Sequence, residues 1–462
     1  MGKIKEFFTD KAFFRTVAAI TLPVVIQNGI TNLVGVFDNV MVGRLSNEAT
    51  SGVAIVNQFM FVFYLVTFGA VSAAGIFTAQ YHGKGDTENV RATFRMKMLI
   101  CAIASVVGIL LFAFFGNYFI STFLTDTGTD IDPELTFDLG RQYLTVMLAG
   151  ILPYSLSQAY SSTLRETERT LPPMAASCAA VAINLILNYM LIFGKLGAPA
   201  LGVRGAAVAT VISRYAEFAI LAVWTGVTGK KSPFIRGAYR SLRMPGKLVK
   251  KVIRMGIPLM ANEGFWALAV TMRNQSYSTR GLEAVTAMSI SSTFTNLFNI
   301  VYLSLGTAVA VIIGNLLGSG EIEKAKKTDK KLIIFSILCT VTVSVILAAL
   351  SPLFPKMYNT TDSVRSLTVY MLLVYAVMMP FDAYANSAYF TLRSGGKVLI
   401  TVLFDSVFMW AIVVPVCFLL SRFTGVSIHV LFVIGQGTDI LKALLGFIML
   451  RRCTWAVHLV KE

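Results

Sequence analysis

Long apolar runs follow one another along the whole chain. Each holds about 20 to 33 mainly apolar residues, enough for a helix rising about 1.5 Å per residue to cross a hydrocarbon layer of about 30 Å. Barrel strands would be about ten residues long and would alternate in polarity, which these runs do not. The pattern therefore predicts an all-α polytopic membrane protein with twelve transmembrane helices. The predicted spans are residues 16–42, 50–81, 96–120, 140–163, 171–194, 201–228, 252–278, 284–316, 332–354, 366–392, 398–420 and 427–450.

Composition excludes several classes of protein. Of the 462 residues, 55% are hydrophobic and 14% are charged, whereas a soluble domain has about 25% charged residues. The formal charge of +16 comes from residues between the apolar runs, not from a basic segment interleaved with aromatic residues, so nucleic-acid binding is not expected. The five cysteines lack metal spacing, and the three histidines fall in loops or terminal segments. We predict neither an enzyme nor a bound cofactor.

The positions of Lys and Arg predict the orientation in the membrane. Most of the 40 basic residues fall in the connections on one side, together with both ends of the chain, and cytoplasmic connections carry such an excess. Both termini are therefore predicted to be cytoplasmic. The longest connection on that side, residues 230–251, is a basic cytoplasmic linker. It separates a predicted N-terminal lobe, residues 1–229, from a C-terminal lobe, residues 252–462.

The two halves resemble each other. An offset of 235 residues aligns Pro23 with Pro258, and one of 228 aligns residues 163–165 with 391–393, both Thr-Leu-Arg. Because each half has an even number of spans, both start from the same membrane face and are parallel repeats. We predict two parallel six-helix lobes around a central cavity in a monomer. Two such lobes suit alternating access, in which a cargo site opens to one side of the membrane at a time.

Polar residues inside the first-half spans form one candidate site. Asp38 has no basic neighbour one helical turn away, Asn184 and Asn188 share a helix face, and Thr210 lies in the next span. Their oxygens are the hard donors that suit a small cation, although polar residues also hold membrane helices together. We predict cation coupling here, with a sodium ion at Asp38, Asn184 and Asn188 as one form of it. Pro23 is the predicted bend of the first span.

Three acids lie deep in second-half spans. Glu263, Asp382 and Asp405 have no basic residue one turn away, and charge at such depth is costly. A carboxylate deprived of water can exchange protons or attract an organic cation, so we predict a cation or substrate site. The alternative is a protonated acid that joins two helices by a hydrogen bond.

Two further acids have a basic residue three positions away on the same helix. Glu217 follows Arg214, and Lys442 follows Asp439. Residues three apart are neighbours on a helix surface, so we predict an ion pair within each helix.

Several motifs resemble the multidrug and toxic compound extrusion (MATE) family. The motifs are Pro23, DNVMVGRLS at 38–46, NLILNYMLIFG at 184–194, GVRGAAVATVISR at 202–214, GIPLMANEGF at 256–265, PFDA at 380–383 and TLRSGGK at 391–397. The resemblance covers nearly the whole chain and implies an antiporter that exports amphipathic or cationic organic compounds in exchange for protons or sodium ions.

The resemblance also implies roles for particular residues. Asp38 matches the family's essential acid in the first lobe, with Asn184, Asn188 and Thr210 beside it, and Pro23 matches its bending point. Glu263 and Asp382 match acids of the second lobe in some bacterial members. Some relatives carry an acid where this chain has Asn188, so both protons and sodium ions remain as coupling ions. The implied location is a bacterial or archaeal cytoplasmic membrane.

Two alternatives to an exporter remain. A lipid-linked oligosaccharide flippase of the same superfamily should have a cationic cavity for phosphates, which the acids of the second half argue against. A membrane receptor or scaffold that transports nothing should carry a sizeable polar or signalling segment, and the sequence has none.

Overall fold

The computed structural model describes residues 10–124, 132–241, 243–358, 360–452 and 455–461, and this part of the chain is helical without strands. Each of its twelve long helices overlaps one predicted span, which confirms the all-α prediction. The helices are α1 (Lys11–Gly43), α2 (Asn47–Lys84), α3 (Thr87–Phe123), α4 (Pro133–Glu166), α5 (Leu171–Phe193), α6 (Val203–Val227), α7 (Gly246–Ser278), α8 (Leu282–Gly318), α9 (Ile322–Leu350), α10 (Asp362–Ser394), α11 (Val398–Phe423) and α12 (Ile428–Arg452).

Ten of these helices are long and apolar enough to cross a membrane. The other two, α4 and α7, are 34 and 33 residues long but carry more polar and charged residues. Some of their polar side chains are turned inward: Ser155 and Ser157 of α4 and Asn262 of α7 are fully buried. Polarity that faces other helices costs little in a membrane, since it can be satisfied by hydrogen bonds within the protein.

Local sequence explains where several helices begin and end. The Asp86 carboxylate accepts a hydrogen bond from Asn89 N at 3.0 Å and caps the start of α3. Asp132 caps the start of α4 in the same way. Pro133 follows it at the first helical position, where a backbone N–H would have no partner within the helix. Thr361 caps α10 in the same way. Helix α5 ends at Gly194, whose φ of +65° is a left-handed conformation that glycine adopts without strain.

The chain divides into two compact units. The first contains the described residues up to Val25, Ala79–Gly85 and the chain from Ile257 onward, and the second contains Ile26–Thr78 and Asp86–Gly256. The division crosses α1 two residues after Pro23 and α7 just before Pro258, the prolines that the repeat aligns. The predicted lobe boundaries and the predicted bend at Pro23 stay predictions.

One helix is central in each unit. In the second unit α4 packs against α3, α5 and α6, and in the first unit α10 packs against α8, α9, α11 and α12. These helices end in the two Thr-Leu-Arg segments that the repeat aligns. Helices α4 and α10 therefore occupy equivalent positions in the two halves of the repeat.

The basic linker packs against α3. Arg95 donates from its guanidinium to the backbone oxygens of Gly237 and Ala238, both at 2.7 Å, and to that of Arg243 at 3.0 Å. The buried Phe234 ring contacts the Phe94 ring with centroids 5.2 Å apart. This connection is therefore held in place by specific contacts as well as by its charge.

Residues 455–461 fold back onto the end of α2. Gln80, which is fully buried, donates to the backbone oxygens of Ser394 at 3.0 Å and Val457 at 3.2 Å, and accepts from Leu459 N at 2.8 Å. Lys84 donates to Val460 O at 2.7 Å. All of these residues belong to the first compact unit.

Candidate functional site

The four polar residues predicted in the first half lie together, and we call them the Asp38 cluster. Asn188 donates from Nδ2 to Asp38 Oδ1 at 2.6 Å and to Asn184 Oδ1 at 3.1 Å. Asn184 donates in turn to Thr210 Oγ1 at 3.3 Å. Asn184 and Asn188 are four residues apart on α5, so their side chains lie on one face of that helix. Through them, hydrogen bonds join Asp38 near the end of α1 to Thr210 on α6.

The side-chain oxygens of the Asp38 cluster suit a small cation as ligands. Asn184 and Asn188 are 4% and 0% exposed. The Oδ1 atom of Asn188 is buried and accepts no hydrogen bond from the described residues, which leaves an acceptor free beside a carboxylate. Sodium would be held at this place by the oxygens of Asp38, Asn184 and Asn188, the donor type that hard cations prefer.

A second polar chain in the same compact unit includes the predicted pair on α6. Arg214 Nη1 lies 3.5 Å from Glu217 Oε2, which confirms that ion pair. Ser177 donates to Glu217 Oε1 at 2.5 Å, and the Arg214 guanidinium lies 4.8 Å from the centre of the Tyr154 ring. These contacts join α4, α5 and α6.

In the second half, Asp405 is not a lone carboxylate. Lys442 Nζ lies 2.7 Å from Asp405 Oδ1, and Asn262 Nδ2 donates to Asp405 Oδ2 at 2.9 Å. The predicted pair between Lys442 and Asp439 is wrong, as is the expectation that Asp405 lacks a basic partner. The lysine stem reaches across to α11, and spacing along α12 gives no information about that helix.

Glu263 also has a basic neighbour, so the prediction of an isolated acid is wrong for it as well. Tyr389 donates to Glu263 Oε1 at 3.1 Å, and Arg393 Nη1 lies 3.7 Å from the same oxygen. Arg393 donates to the Tyr389 hydroxyl at 3.0 Å. These two residues are four apart on α10 and present one face to α7.

Asp382 lies on α10 and the acid Asp439 lies on α12, and these two helices pack against each other. We call Glu263, Asp382, Asp405 and Asp439 the carboxylate cluster.

The helix that carries Asp405 is locally widened. Leu403–Val407 and Met409–Val413 of α11 are π-helical, with α-helix before and after them. Such segments are rare overall but frequent at functional sites, because they change the direction of a side chain within a continuous helix. Here Asp405 is aimed at both α7 and α12.

Sequence reasoning missed a buried ion pair at the ends of α3 and α4. Lys97 is fully buried, forms an ion pair with Glu166, and donates to Ser162 Oγ at 3.1 Å and Thr163 Oγ1 at 3.2 Å. A Cβ atom on Gly75 would collide with the Glu166 carboxylate. The signal available in the sequence was a lysine inside an apolar run and a glutamate at the end of the adjacent one.

The residues that surround the carboxylate cluster were also missed. Arg273, Tyr389, Arg393 and Asn262 lie on helices whose neighbours only the fold reveals. Asn262 directly precedes Glu263 in the sequence, and that adjacency was the one signal available. Among the described residues, no three His, Cys, Asp or Glu side chains form a metal-binding group.

Comparisons with known proteins agree on one family. The MatE family model matches residues 23–190 and 261–419, which is more than half of the chain. The chain is 27% identical to the probable multidrug resistance protein NorM of Thermotoga maritima, over 87% of this chain and 85% of that protein. It is 24% identical to the probable multidrug resistance protein YoeA of Bacillus subtilis, over 90% of this chain and 88% of that protein.

Solved structures share the fold. A multidrug resistance MATE family transporter of the MOP superfamily in an outward-facing conformation matches with a TM-score of 0.84 at 18% identity, over 94% of both chains. A MOP superfamily transporter from Pyrococcus furiosus, described as having a binding pocket of reverse polarity, matches with a TM-score of 0.82 at 17% identity, also over 94% of both. At these identities the likeness concerns the fold alone. Together with the family match, it shows that the chain belongs to the MatE family, the multidrug and toxic compound extrusion transporters.

Proposed function

We propose that the protein is a secondary active antiporter that exports amphipathic or cationic organic compounds in exchange for protons or sodium ions by alternating access. The names of its curated relatives support multidrug export. The observation that carries the exchange is a carboxylate in a membrane helix, Asp38, bound by the buried amide of Asn188. We place the protein in a bacterial or archaeal cytoplasmic membrane with both termini in the cytoplasm.

The energetics of such exchange are sufficient for export. One positive charge that moves inward gains about 2.3 kcal/mol per 100 mV, which corresponds to roughly fifty-fold concentration of a neutral cargo. The cation reduces the negative charge available to a cationic cargo, so the binding of one opposes the binding of the other. Entry of the cation then favours release of the cargo on the outer side.

A flippase for lipid-linked oligosaccharides is less well supported. Bases do lie in the second half, namely the buried Arg393 and the partly buried Arg273 and Lys442, but the carboxylate cluster outnumbers them by four to three. A phosphate would meet excess negative charge there. The exporter therefore remains the proposed function.

Efflux of a fluorescent organic cation from proteoliposomes tests the proposal. Proton and sodium gradients are imposed separately, and empty liposomes are the control. We expect one of the two gradients to accelerate efflux at least tenfold over the same vesicles without a gradient. An efflux rate that is the same with and without each gradient would refute antiport.

Asn188→Ala is expected to weaken cation coupling without stopping transport. The substitution removes the hydrogen bond to Asp38 and the free Oδ1 acceptor, and a hydrogen bond to a charged group contributes about 1.5 to 3 kcal/mol. The cation concentration for half-maximal efflux should therefore rise by about ten-fold or more, with the maximal rate changed far less. Thr145→Ala, at a hydroxyl that bonds within α4, is a matched control. An unchanged cation dependence would exclude Asn188 from the site.

A further inference from the structure

Residues 455–461, which we call the strap, bind the ends of α2 and α10. In the proposed orientation these helix ends lie on the cytoplasmic side of the membrane. We propose that the strap holds the cytoplasmic side closed while it is bound to Gln80, and that it has to leave Gln80 before cargo enters from the cytoplasm. This inference rests on the proposed antiport by alternating access.

Gln80 makes the central hydrogen bonds of this contact, and its side chain is 0% exposed. Its Nε2 atom donates to Ser394 O, at the end of α10, at 3.0 Å and to Val457 O of the strap at 3.2 Å. Its Oε1 atom accepts from Leu459 N of the strap at 2.8 Å. One buried amide on α2 therefore binds both α10 and the strap.

The strap also fits the surface beneath it through apolar contacts. Trp455 and Val460 are 6% and 2% exposed. Trp455 belongs to the same buried apolar cluster as Leu317 of α8 and Leu392 of α10. A Cβ atom on Gly395, which directly follows α10, would overlap the backbone oxygen of Trp455. The strap is therefore held by a shaped contact and by hydrogen bonds together.

The strap connects helices from different halves of the repeat. Helix α2 belongs to the first half, whereas α8 and α10 belong to the second. In alternating access the two repeats rock against each other, so equivalent helices move apart on the side that is open. A connection from α2 to α10 has to part whenever the cytoplasmic side opens.

The strength of the contact suits a reversible closure. A hydrogen bond that is replaced by bonds to water changes an equilibrium by about fivefold. Gln80 makes two such bonds to the strap, and Lys84 Nζ donates a third to Val460 O at 2.7 Å. Three bonds favour the bound strap on the order of a hundredfold, so about 1% of the molecules would have it released, a usual population for a minor conformation.

A weaker strap should make loading of cargo easier. Cargo that binds only after release has its apparent affinity reduced by the released fraction. Loss of a strap bond is therefore expected to lower the KM for cargo on the cytoplasmic side. Damage to the fold would not improve loading, so the direction of the change distinguishes a closing role from a purely stabilising one.

The test measures uptake of ethidium into inside-out membrane vesicles that contain the full-length protein, with proton and sodium gradients imposed separately. We expect Gln80→Ala to lower the KM for ethidium about fivefold or more, and Lys84→Met, at an exposed lysine, to lower it about twofold or more. Gln275→Ala, at an exposed glutamine near the end of α7, is the control and should leave the KM unchanged.

A second measurement does not depend on transport. Ser394 is 3% exposed, and Ser394→Cys is a conservative substitution at the place where Gln80 binds α10. A membrane-impermeant maleimide is added to the cytoplasmic face, and modification at residue 394 is followed by mass spectrometry. Adding Gln80→Ala to Ser394→Cys should raise the rate of modification about fivefold or more, and adding Gln275→Ala should not.

Folded Gln80→Ala with an unchanged or higher KM, or with an unchanged rate of modification, would overturn the proposal, even if its melting temperature were lower. If Gln80→Ala does not fold, the same two measurements on Lys84→Met decide. Failure of the proposed antiport is distinguishable, because wild-type vesicles would then take up no ethidium under either gradient. The modification of residue 394 would still report whether the strap leaves Gln80.

Discussion

Efflux driven by a cation gradient is expected to stop in Asp38→Asn. Asparagine has nearly the same shape and still accepts the hydrogen bond from Asn188 Nδ2, now 2.6 Å from Asp38 Oδ1, but it carries no charge to exchange. A tenfold concentration gradient of the coupling cation sustains about a tenfold ratio of a singly charged cargo in one-for-one exchange, and this ratio should fall to about one. The measurement is the steady-state distribution of a fluorescent organic cation across proteoliposomes with an imposed gradient.

Asp138→Asn provides the matched control for this variant. Asp138 is an exposed acid in the first turns of α4, and the same loss of charge there should leave the distribution unchanged. Melting curves of the purified proteins separate loss of coupling from loss of fold. If Asp38→Asn melts normally and still concentrates cargo in response to a gradient, the Asp38 cluster has no part in coupling.

The Asp38 cluster was predictable because its information is local. Two asparagines four apart must share a helix face, and an acid in a membrane helix must find a polar partner. The structure adds the order of the hydrogen bonds and the unused oxygen of Asn188. Which ion is exchanged depends on energies that the side-chain positions alone do not determine, so the ion stays part of the proposal.

The carboxylate cluster shows where local reasoning fails. Spacing along α12 favoured Asp439 as the partner of Lys442, whereas the lysine bonds to Asp405 on α11, 37 residues earlier. Arg393 approaches Glu263 from α10. Both pairings depend on which helices are neighbours, and the π-helical segments of α11 set the direction of Asp405. None of these features follows from a hydropathy pattern.

The offset of 235 residues also aligns HGKG at 82–85 with LGSG at 317–320, and the glycines of these two segments have two different roles in the structure. Gly85 and Gly320 have φ of +79° and +81° and form the turns. Gly83 and Gly318, which the offset of 235 residues aligns, remain helical. They serve as contact surfaces between α2 and α8.

Gly83→Ala is expected to destabilise the protein strongly, although alanine is the better helix former. A Cβ atom on Gly83 would overlap the backbone oxygen of Asn315, and one on Gly318 would overlap that of Gln80. The small residues Ala79 and Gly83 on α2 and Gly314 and Gly318 on α8 thus let two backbones touch, as small residues four apart do in membrane helices. Backbone atoms cannot rotate out of the way, so α2 and α8 must separate.

The separation should cost about 3 kcal/mol, because the contact lies beside the hydrogen bonds that Gln80 makes to residues 455–461. At about 2 to 4 °C per kcal/mol, the melting temperature of the detergent-solubilised protein should fall by about 6 to 12 °C. Gly226→Ala is the control, and its melting temperature is expected to rise rather than fall. Gly226 is also the last residue but one of its helix, and a Cβ there meets no atom within 4 Å, so helix propensity alone should raise stability by up to about 1 kcal/mol. Equal melting shifts in the two variants would mean that α2 and α8 do not touch at Gly83.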